Sequence, residues 1–186
     1  FQPFSRAPQI RYRYKTGDIQ ITGAALWQSQ YLSQGPEGKS QKYIKNSCVP
    51  EIYAGIDYKH KGLLIGAGIE MVSLTPRTQA TVEDKIYKVS ERITSLSYEV
   101  HMKYNSEKWL VAAKSVLGSN LTQTSMLGGY GIKSIDPRTG EQEYSPNRNS
   151  SSWINIVYGK TWKPAIFFGY MKNLGTSDAV TNMYGT

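Results

Sequence analysis

Short segments in which apolar and polar residues alternate recur along most of this chain, and this alternation constrains the fold more than any single motif. In residues 11–15 a basic residue takes every second position, while Tyr12 and Tyr14 take the others. Residues 52–59 and 96–104 follow the same rule, with aliphatic residues and tyrosine on one side and mostly polar residues on the other. Successive side chains of a strand point to opposite faces, so the sequence predicts antiparallel strands with one apolar and one charged face.

The connections between these segments alternate as well, from short turn to long loop. The strands that we predict are 9–15, 18–30, 51–59, 63–74, 93–104, 109–117, 152–158 and 165–174. The short turns are 16–17, 60–62, 105–108 and 159–164, and the long polar loops are 31–50, 75–92 and 118–151. This double alternation is typical of an up-and-down transmembrane β-barrel that turns its apolar face to lipid. A soluble β-sandwich, which would cover that face with a second sheet, is the open alternative.

Composition excludes several other classes of protein. The chain has 186 residues, and no apolar run approaches the roughly 20 residues of a membrane-spanning helix. The net charge of +8 suggests nucleic acid as a partner, but the basic residues are spread over strands, turns and loops, so we expect none. The single Cys48 excludes internal disulfides, and no His, Asp and Glu spacing indicates a metal site. We therefore expect no metal and no cofactor.

The order of short and long connections orients the predicted barrel. In bacterial outer-membrane barrels the short turns face the periplasm and the long loops face outward. Both chain ends would then lie on the outer side, so we expect residues 1–186 to be one barrel domain or, rather, an internal segment of a larger barrel. A closed eight-stranded barrel is the alternative. The predicted periplasmic girdle of aromatic residues is Tyr14, Tyr58, Tyr104, Trp109 and Trp162.

The charged face would line the pore of such a barrel. The predicted pore-lining residues are Arg11, Arg13, Lys15, Glu51, Asp57, Lys59, Glu70, Glu99, His101, Lys103 and Lys114. Opposite charges across a lumen create a transverse field, and we expect Arg11 and Arg13 to favour anions. In the alternative interpretation these charges pair with one another and brace the wall.

Catalysis is not expected from the residues on this face. His101 shares the face with Ser95 and Ser97, but even residues two apart on one strand are about 6.6 Å apart, too far for a direct hydrogen bond, and these serines are farther away still. We therefore predict no catalytic residue and no enzymatic activity. Two further motifs are predicted to be structural: the glycines of residues 65–68 pack closely within a strand, and residues 136–140 form the turn of an extra hairpin.

Several stretches resemble a known family. These are residues 50–56 (PEIYAGI), 127–131 (LGGYG), 149–153 (NSSSW), 168–170 (FGY) and 172–176 (KNLGT). They resemble outer-membrane porin-like proteins of the Bacteroidetes and are similar to DcaP-like trimeric porins. The resemblance implies a barrel of about sixteen strands, of which this chain would be the middle, a homotrimer, and passive uptake of small, including anionic, solutes without a cofactor.

The resulting expectation is a porin that is integral to the bacterial outer membrane and contacts its lipids and lipopolysaccharide. An alternative from another class is a non-conducting barrel that acts as an adhesin or as a scaffold for a partner protein. An outer-membrane hydrolase that uses His101 is a more remote alternative.

Overall fold

The computed structural model describes residues 7–27, 33–124 and 126–185, and these residues form an all-β protein. The strands are β1 (Gln9–Thr16), β2 (Ile19–Leu26), β3 (Glu51–His60), β4 (Leu63–Leu74), β5 (Gln79–Val82), β6 (Lys85–Lys88), β7 (Ile93–Asn105), β8 (Trp109–Ser119), β9 (Tyr130–Ile135), β10 (Gln142–Pro146), β11 (Arg148–Tyr158), β12 (Ala165–Gly175) and β13 (Met183–Tyr184). A short helix, α1 (Lys42–Ser47), and a 3-10 helix (Leu121–Thr124) complete the regular structure. None of the helices in this part of the chain is long and apolar enough to cross a membrane.

Eight long strands form one antiparallel sheet in the order β1-β2-β3-β4-β7-β8-β11-β12. They correspond to the eight strands predicted from the alternation, so the all-β antiparallel prediction is confirmed. The bounds differ in β2, which ends at Leu26, and in β8 and β11, which extend to Ser119 and back to Arg148. The last residues of the second predicted strand, 28–30, lie outside the described part of the chain. The sheet is open, with β1 and β12 as unpaired edges, so these strands do not confirm the closed barrel.

The strand register divides the sheet into an apolar face and a polar face. Residues directly opposite each other on neighbouring strands point to the same side, and this rule can be followed from β1 to β12. The apolar residues on the apolar face include Ile10, Tyr12, Tyr14, Ile19, Ile21, Ile52, Ile56, Tyr58, Ile65, Ala67, Ile69, Leu96, Tyr98, Val100, Met102, Tyr104, Trp109, Leu117, Ile154, Tyr158, Ile166, Phe168 and Tyr170. Ser115, Ser150 and Ser152 lie on this face as well. Asp, Glu, Lys or Arg occurs on the described part of this face only toward the long-loop ends of β11 and β12, at Arg148 and Lys172.

The two ends of the sheet differ as strongly as its faces. The short turns connect β1 to β2, β3 to β4, β7 to β8 and β11 to β12, and all lie at one end. At the other end the long connections are not irregular loops, as their polar composition suggested. They contain α1, a β5–β6 hairpin, the 3-10 helix and a β9–β10 hairpin, whose turn at residues 136–140 was predicted.

The buried core lies at this long-loop end. We call the following elements together the cap: α1, residues 75–92 with the β5–β6 hairpin, the 3-10 helix, and the small sheet β10-β9-β13 with its turn at residues 136–141. Tyr43 and Ile44 of α1 and Tyr130 of β9 pack against the ends of β4 and β7. The sheet residues in this core are Val72, Leu74 and Ile93. All three belong to the polar face by their register, so the cap covers the long-loop end of that face.

Three buried asparagines attach the cap to the sheet. The Asn120 side-chain oxygen accepts a hydrogen bond from the Gly129 N–H at 3.0 Å, and the Asn147 amide donates to the Gly128 carbonyl at 3.1 Å. The Asn149 amide donates to the Leu127 carbonyl. Gly129 has φ 88°, and a side chain there would overlap the backbone of Gly185. These contacts involve two of the stretches that carry the family resemblance, which therefore have a structural role.

Candidate functional site

The centre of the polar face is organised by two glycines in β4. Gly66 and Gly68 have no side chain to fill the face, so side chains from the flanking strands β3 and β7 lie over them. A β-carbon on Gly68 would come within 2.6 Å of the Tyr53 hydroxyl, and one on Gly66 within 2.5 Å of His101 Nε2. The predicted close packing at residues 65–68 is confirmed, and it lets strands that are not neighbours exchange hydrogen bonds.

A network of charged groups results from this close approach. The Tyr53 hydroxyl donates to Glu99 Oε1 at 2.9 Å, and the Lys114 ammonium pairs with the other oxygen of the same carboxylate. His101 lies between two carboxylates, with Nε2 3.0 Å from Asp57 Oδ1 and Nδ1 3.8 Å from Glu99 Oε1. The network links β3, β7 and β8. Asp57, Glu99, His101 and Lys114 therefore brace the sheet, as expected from the interpretation in which the charges pair with one another.

A second acidic group lies next to this network, toward the cap. Glu51 and Glu70 are neighbours on β3 and β4, and their carboxyl groups are within hydrogen-bonding reach of each other. Glu51 Oε2, Glu70 Oε1 and the buried Ser95 hydroxyl have no partner among the described residues. The middle of the polar face therefore has more carboxyl groups, at Glu51, Asp57, Glu70 and Glu99, than basic groups, at His101 and Lys114.

The other predicted pore-lining residues are basic and stand apart. Arg11, Arg13 and Lys15 follow the edge strand β1, and Lys59 and Lys103 lie near the short turns of β3 and β7. All five are exposed, and none has an ion pair within the described residues. Arg11 donates a hydrogen bond to the Gln9 side chain at 2.8 Å. The structure thus brings the predicted acids together and leaves most of the predicted cations free.

An aromatic pair on the same face was not predicted from the sequence. Trp153 of β11 lies directly opposite Lys114, and Phe167 of β12 lies diagonally across from Trp153. The two rings are 6.1 Å apart between centroids, with an angle of 29° between their planes. The signal was present, because the predicted strands 152–158 and 165–174 have large aromatic residues on both faces and no Asp, Glu, Lys or Arg on the face of Trp153 and Phe167.

Four of the five predicted girdle residues lie together at the short-turn end of the apolar face. Tyr14, Tyr58, Tyr104 and Trp109 are there, each about half exposed, and the fifth, Trp162, is 87% exposed in the last short turn. Tyr158 belongs with them although it was not predicted, since its ring centroid is 4.5 Å from that of Trp109.

A buried ion pair in the cap was also missed, because it falls in segments predicted to be loops. The Glu91 carboxylate, whose side chain is fully buried, pairs with the Arg77 guanidinium and accepts hydrogen bonds from the Tyr144 hydroxyl and the Gln142 N–H. Arg77 also donates to the Gly140 carbonyl at 2.6 Å. The hydrogen bonds that Arg77 donates to Glu91 raise the pKa of Arg77, and burial together with the Glu91 carboxylate raises the pKa of Tyr144. This cluster ties the β9–β10 hairpin to the connection between β4 and β7.

The described residues contain no group of three or more His, Cys, Asp or Glu side chains that could hold a metal ion. Comparison with known proteins adds no identification. No family model, no curated protein and no solved structure matches this chain.

Proposed function

We propose that this chain forms the wall of a transmembrane β-barrel in a bacterial outer membrane, and that the barrel is a porin for small solutes. One observation carries the proposal: the apolar face extends over eight strands, is exposed, and carries almost no charge. Val100 at its centre is 57% exposed and Ile56 is 51% exposed. A face of this kind is stable next to lipid and unfavourable in water.

The size of the face favours lipid over a small partner. Eight strands about 4.8 Å apart make it roughly 38 Å wide, and the apolar positions of β7, from Leu96 to Tyr104, extend about 27 Å. Its area is therefore about 1,000 Å², whereas the largest apolar patch of a soluble monomer is typically about 300–600 Å². Its height agrees with the apolar band of about 25 Å on outer-membrane barrels.

The arrangement of the strands supports a barrel wall in two further ways. Short turns with aromatic residues lie at one end and long connections at the other, as in outer-membrane barrels. The register also drifts in one direction across the sheet. Thr16, at the end of β1, is linked through successive strand pairs to Ile154, which lies four residues before the end of β11. Tilted strands with a constant stagger are what barrel closure requires.

The polar face would line the lumen. Its free cations Arg11, Arg13 and Lys15 lie on β1, while Asp57 is two strands away on β3, about 10 Å along the sheet. That distance is close to the Debye length at physiological ionic strength, so salt partly screens the attraction between the two groups. Solutes would meet a cationic strip beside an acidic centre, and the unpaired cations would favour anions.

The cap supports a second candidate function. It covers the long-loop end of the polar face with a buried core that includes Tyr43 and Tyr130, so it narrows one mouth of the proposed pore. A cap that fully closes the mouth would make the protein a non-conducting adhesin or scaffold. A homotrimer that contacts lipid and lipopolysaccharide, as the family resemblance implies, also remains part of the proposal.

Extraction and conductance test these proposals in turn. We expect the chain to require detergent for extraction from membranes and to produce ion-conducting channels in planar bilayers. The double variant Arg11→Glu, Arg13→Glu should shift the reversal potential in a salt gradient toward cation preference. Lys85→Glu in the exposed β5–β6 hairpin is the control, since it changes charge away from the polar face.

Three results would contradict the proposals separately. Extraction into buffer without detergent would indicate the soluble β-sandwich. Membrane insertion without conductance would favour the scaffold. A reversal potential that Arg11→Glu, Arg13→Glu shifts no more than Lys85→Glu would remove the role of β1 in selectivity.

A further inference from the structure

We propose that Trp153 and Phe167 form a binding platform for uncharged sugars on the polar face. The inference rests on the proposed function, because it names a class of solute that the lumen would recognise. It starts from an exposed aromatic pair on the polar face, at β11 and β12, away from the core under the cap.

The two rings belong to neighbouring strands and lie close to each other on the polar face. Gly169, opposite Trp153, leaves space beside them. A β-carbon on Gly169 would lie 3.2 Å from the Phe167 ring and 3.8 Å from the Trp153 β-carbon. Phe167 is 67% exposed. Its ring plane is inclined 29° to that of Trp153, so the pair presents adjacent aromatic surface on which a flat ligand could stack.

Hydrogen-bonding groups flank this surface. Ser151 and Asn155 lie two residues before and after Trp153 on the same face of β11. Their side chains and the Trp153 indole N–H have no hydrogen-bond partner within the described residues. An apolar surface with free hydroxyl, amide and indole groups at its edge matches a sugar ring, which has C–H groups on its faces and hydroxyls around its rim.

The charges around the platform favour an uncharged ligand. The closest lysine across the strand pair, Lys114, is already paired with Glu99. Lys103, which has no ion pair among the described residues, lies opposite Ala112 of β8 and is therefore two strands from β11, about 10 Å along the sheet. No Asp, Glu, Lys or Arg lies on the polar face of β11 or β12 itself, so the platform offers stacking and neutral hydrogen-bonding groups to a ligand.

Calorimetric titration of the purified chain in detergent with the disaccharide cellobiose tests this inference. We expect saturable binding by the wild type and a loss of about tenfold in affinity in Trp153→Ala and Phe167→Leu, since each removes one stacking surface. Trp153→Phe should keep most of the affinity. Phe168→Leu is the matched control, because Phe168 is the next residue, is similarly exposed at 65%, and lies on the apolar face.

The outcomes separate this inference from the proposed function. No cellobiose binding by the wild type, or equal affinity in Phe167→Leu and Phe168→Leu, would overturn the platform. Binding that weakens steeply with salt would also overturn it, since stacking on an uncharged ligand is insensitive to salt. If Trp153→Ala does not fold, the two leucine variants decide. Cellobiose binding without conductance would contradict the porin and support the platform. Conductance without cellobiose binding would support the porin and contradict the platform.

Discussion

The eight-stranded sheet and the cap treat their hydrophobic residues in opposite ways. In the cap, Tyr43 and Tyr130 are fully buried and Ile44 is 2% exposed, as in a protein surrounded by water. In the sheet, Ile10 is 82% exposed and Phe168 65%. Of the large hydrophobic residues that are exposed in the described part of the chain, only Ile86, Ile135 and Trp162 lie outside the eight strands.

The difference indicates two environments for one chain. A hydrophobic residue is buried wherever water is the alternative, and the cap follows that rule within its own small core. The apolar face of the sheet does not follow this rule. Its hydrophobic residues are exposed, although they alternate with polar residues as regularly as those of a buried strand do. Under the proposed function the apolar face meets lipid while the cap meets water, and variants in the two regions test this separation.

The largest effect should come from the buried ion pair of the cap. Arg77→Ala leaves the Glu91 carboxylate buried without its cation, which typically costs about 3–5 kcal/mol. We expect faster hydrogen exchange at the amides of β9 and β10, with little change in the sheet. Lys133→Ala is the control, because the Lys133–Asp178 pair is 3.5 Å long and exposed and should contribute less than about 1 kcal/mol. Equal effects of the two substitutions would contradict this account of the cap.

A somewhat smaller effect should separate the two faces of the sheet. Ala67 is in the middle of the apolar face, and Ala112 lies on the polar face opposite Lys103. Ala67→Arg should destabilise the protein in lipid by about 2–4 kcal/mol, whereas Ala112→Arg should be close to neutral. Denaturant unfolding from lipid vesicles measures both. If the two variants unfold alike, the apolar face is not in contact with lipid.

The tyrosines of the cap should make it sensitive to alkaline pH. Burial raises the pKa of Tyr130, Tyr144 and Tyr184 above the value of about 10 in an unfolded chain. Above pH 10 the folded cap therefore holds more protons than the open cap, and its stability falls as pH rises, by up to about 1.4 kcal/mol per pH unit for each tyrosine. Near-ultraviolet circular dichroism should show the cap opening in this range.

Tyr130→Phe provides the control for the alkaline transition. It removes one buried phenol, together with its hydrogen bond to the Gln34 carbonyl at 2.9 Å, so the cap should be less stable at neutral pH but lose less on going to high pH. A transition with the same pH dependence in this variant and the wild type would exclude Tyr130 as its cause.

The sheet could be predicted from the sequence because its information is local. Period-two alternation predicted the eight strands and placed the eleven predicted pore-lining residues on one face, and the glycines of residues 65–68 indicated close packing. The cap could not be predicted in the same way, because Tyr43, Glu91 and Tyr130 meet only through contacts between distant segments. The Trp153–Phe167 pair was not predicted for another reason. Both residues occupy polar-face positions, where the alternation predicts polar side chains.

The smallest effect is expected at the turn of the β9–β10 hairpin, residues 136–140, which the local sequence predicted. Asp136 accepts hydrogen bonds from the Arg138 N–H and the Thr139 hydroxyl, both at 2.9 Å, and these bonds lower its pKa. A carboxylate with a lowered pKa stabilises the turn at neutral pH and loses that contribution as pH falls through the lowered value. Because the turn is exposed and water can replace these bonds, Asp136→Ala should change hydrogen exchange only within residues 136–141, and Asp136→Asn should change it less. Exchange that spreads from Asp136→Ala to Tyr130 would show that the cap folds as a single unit around its turn and not around the Arg77–Glu91 pair.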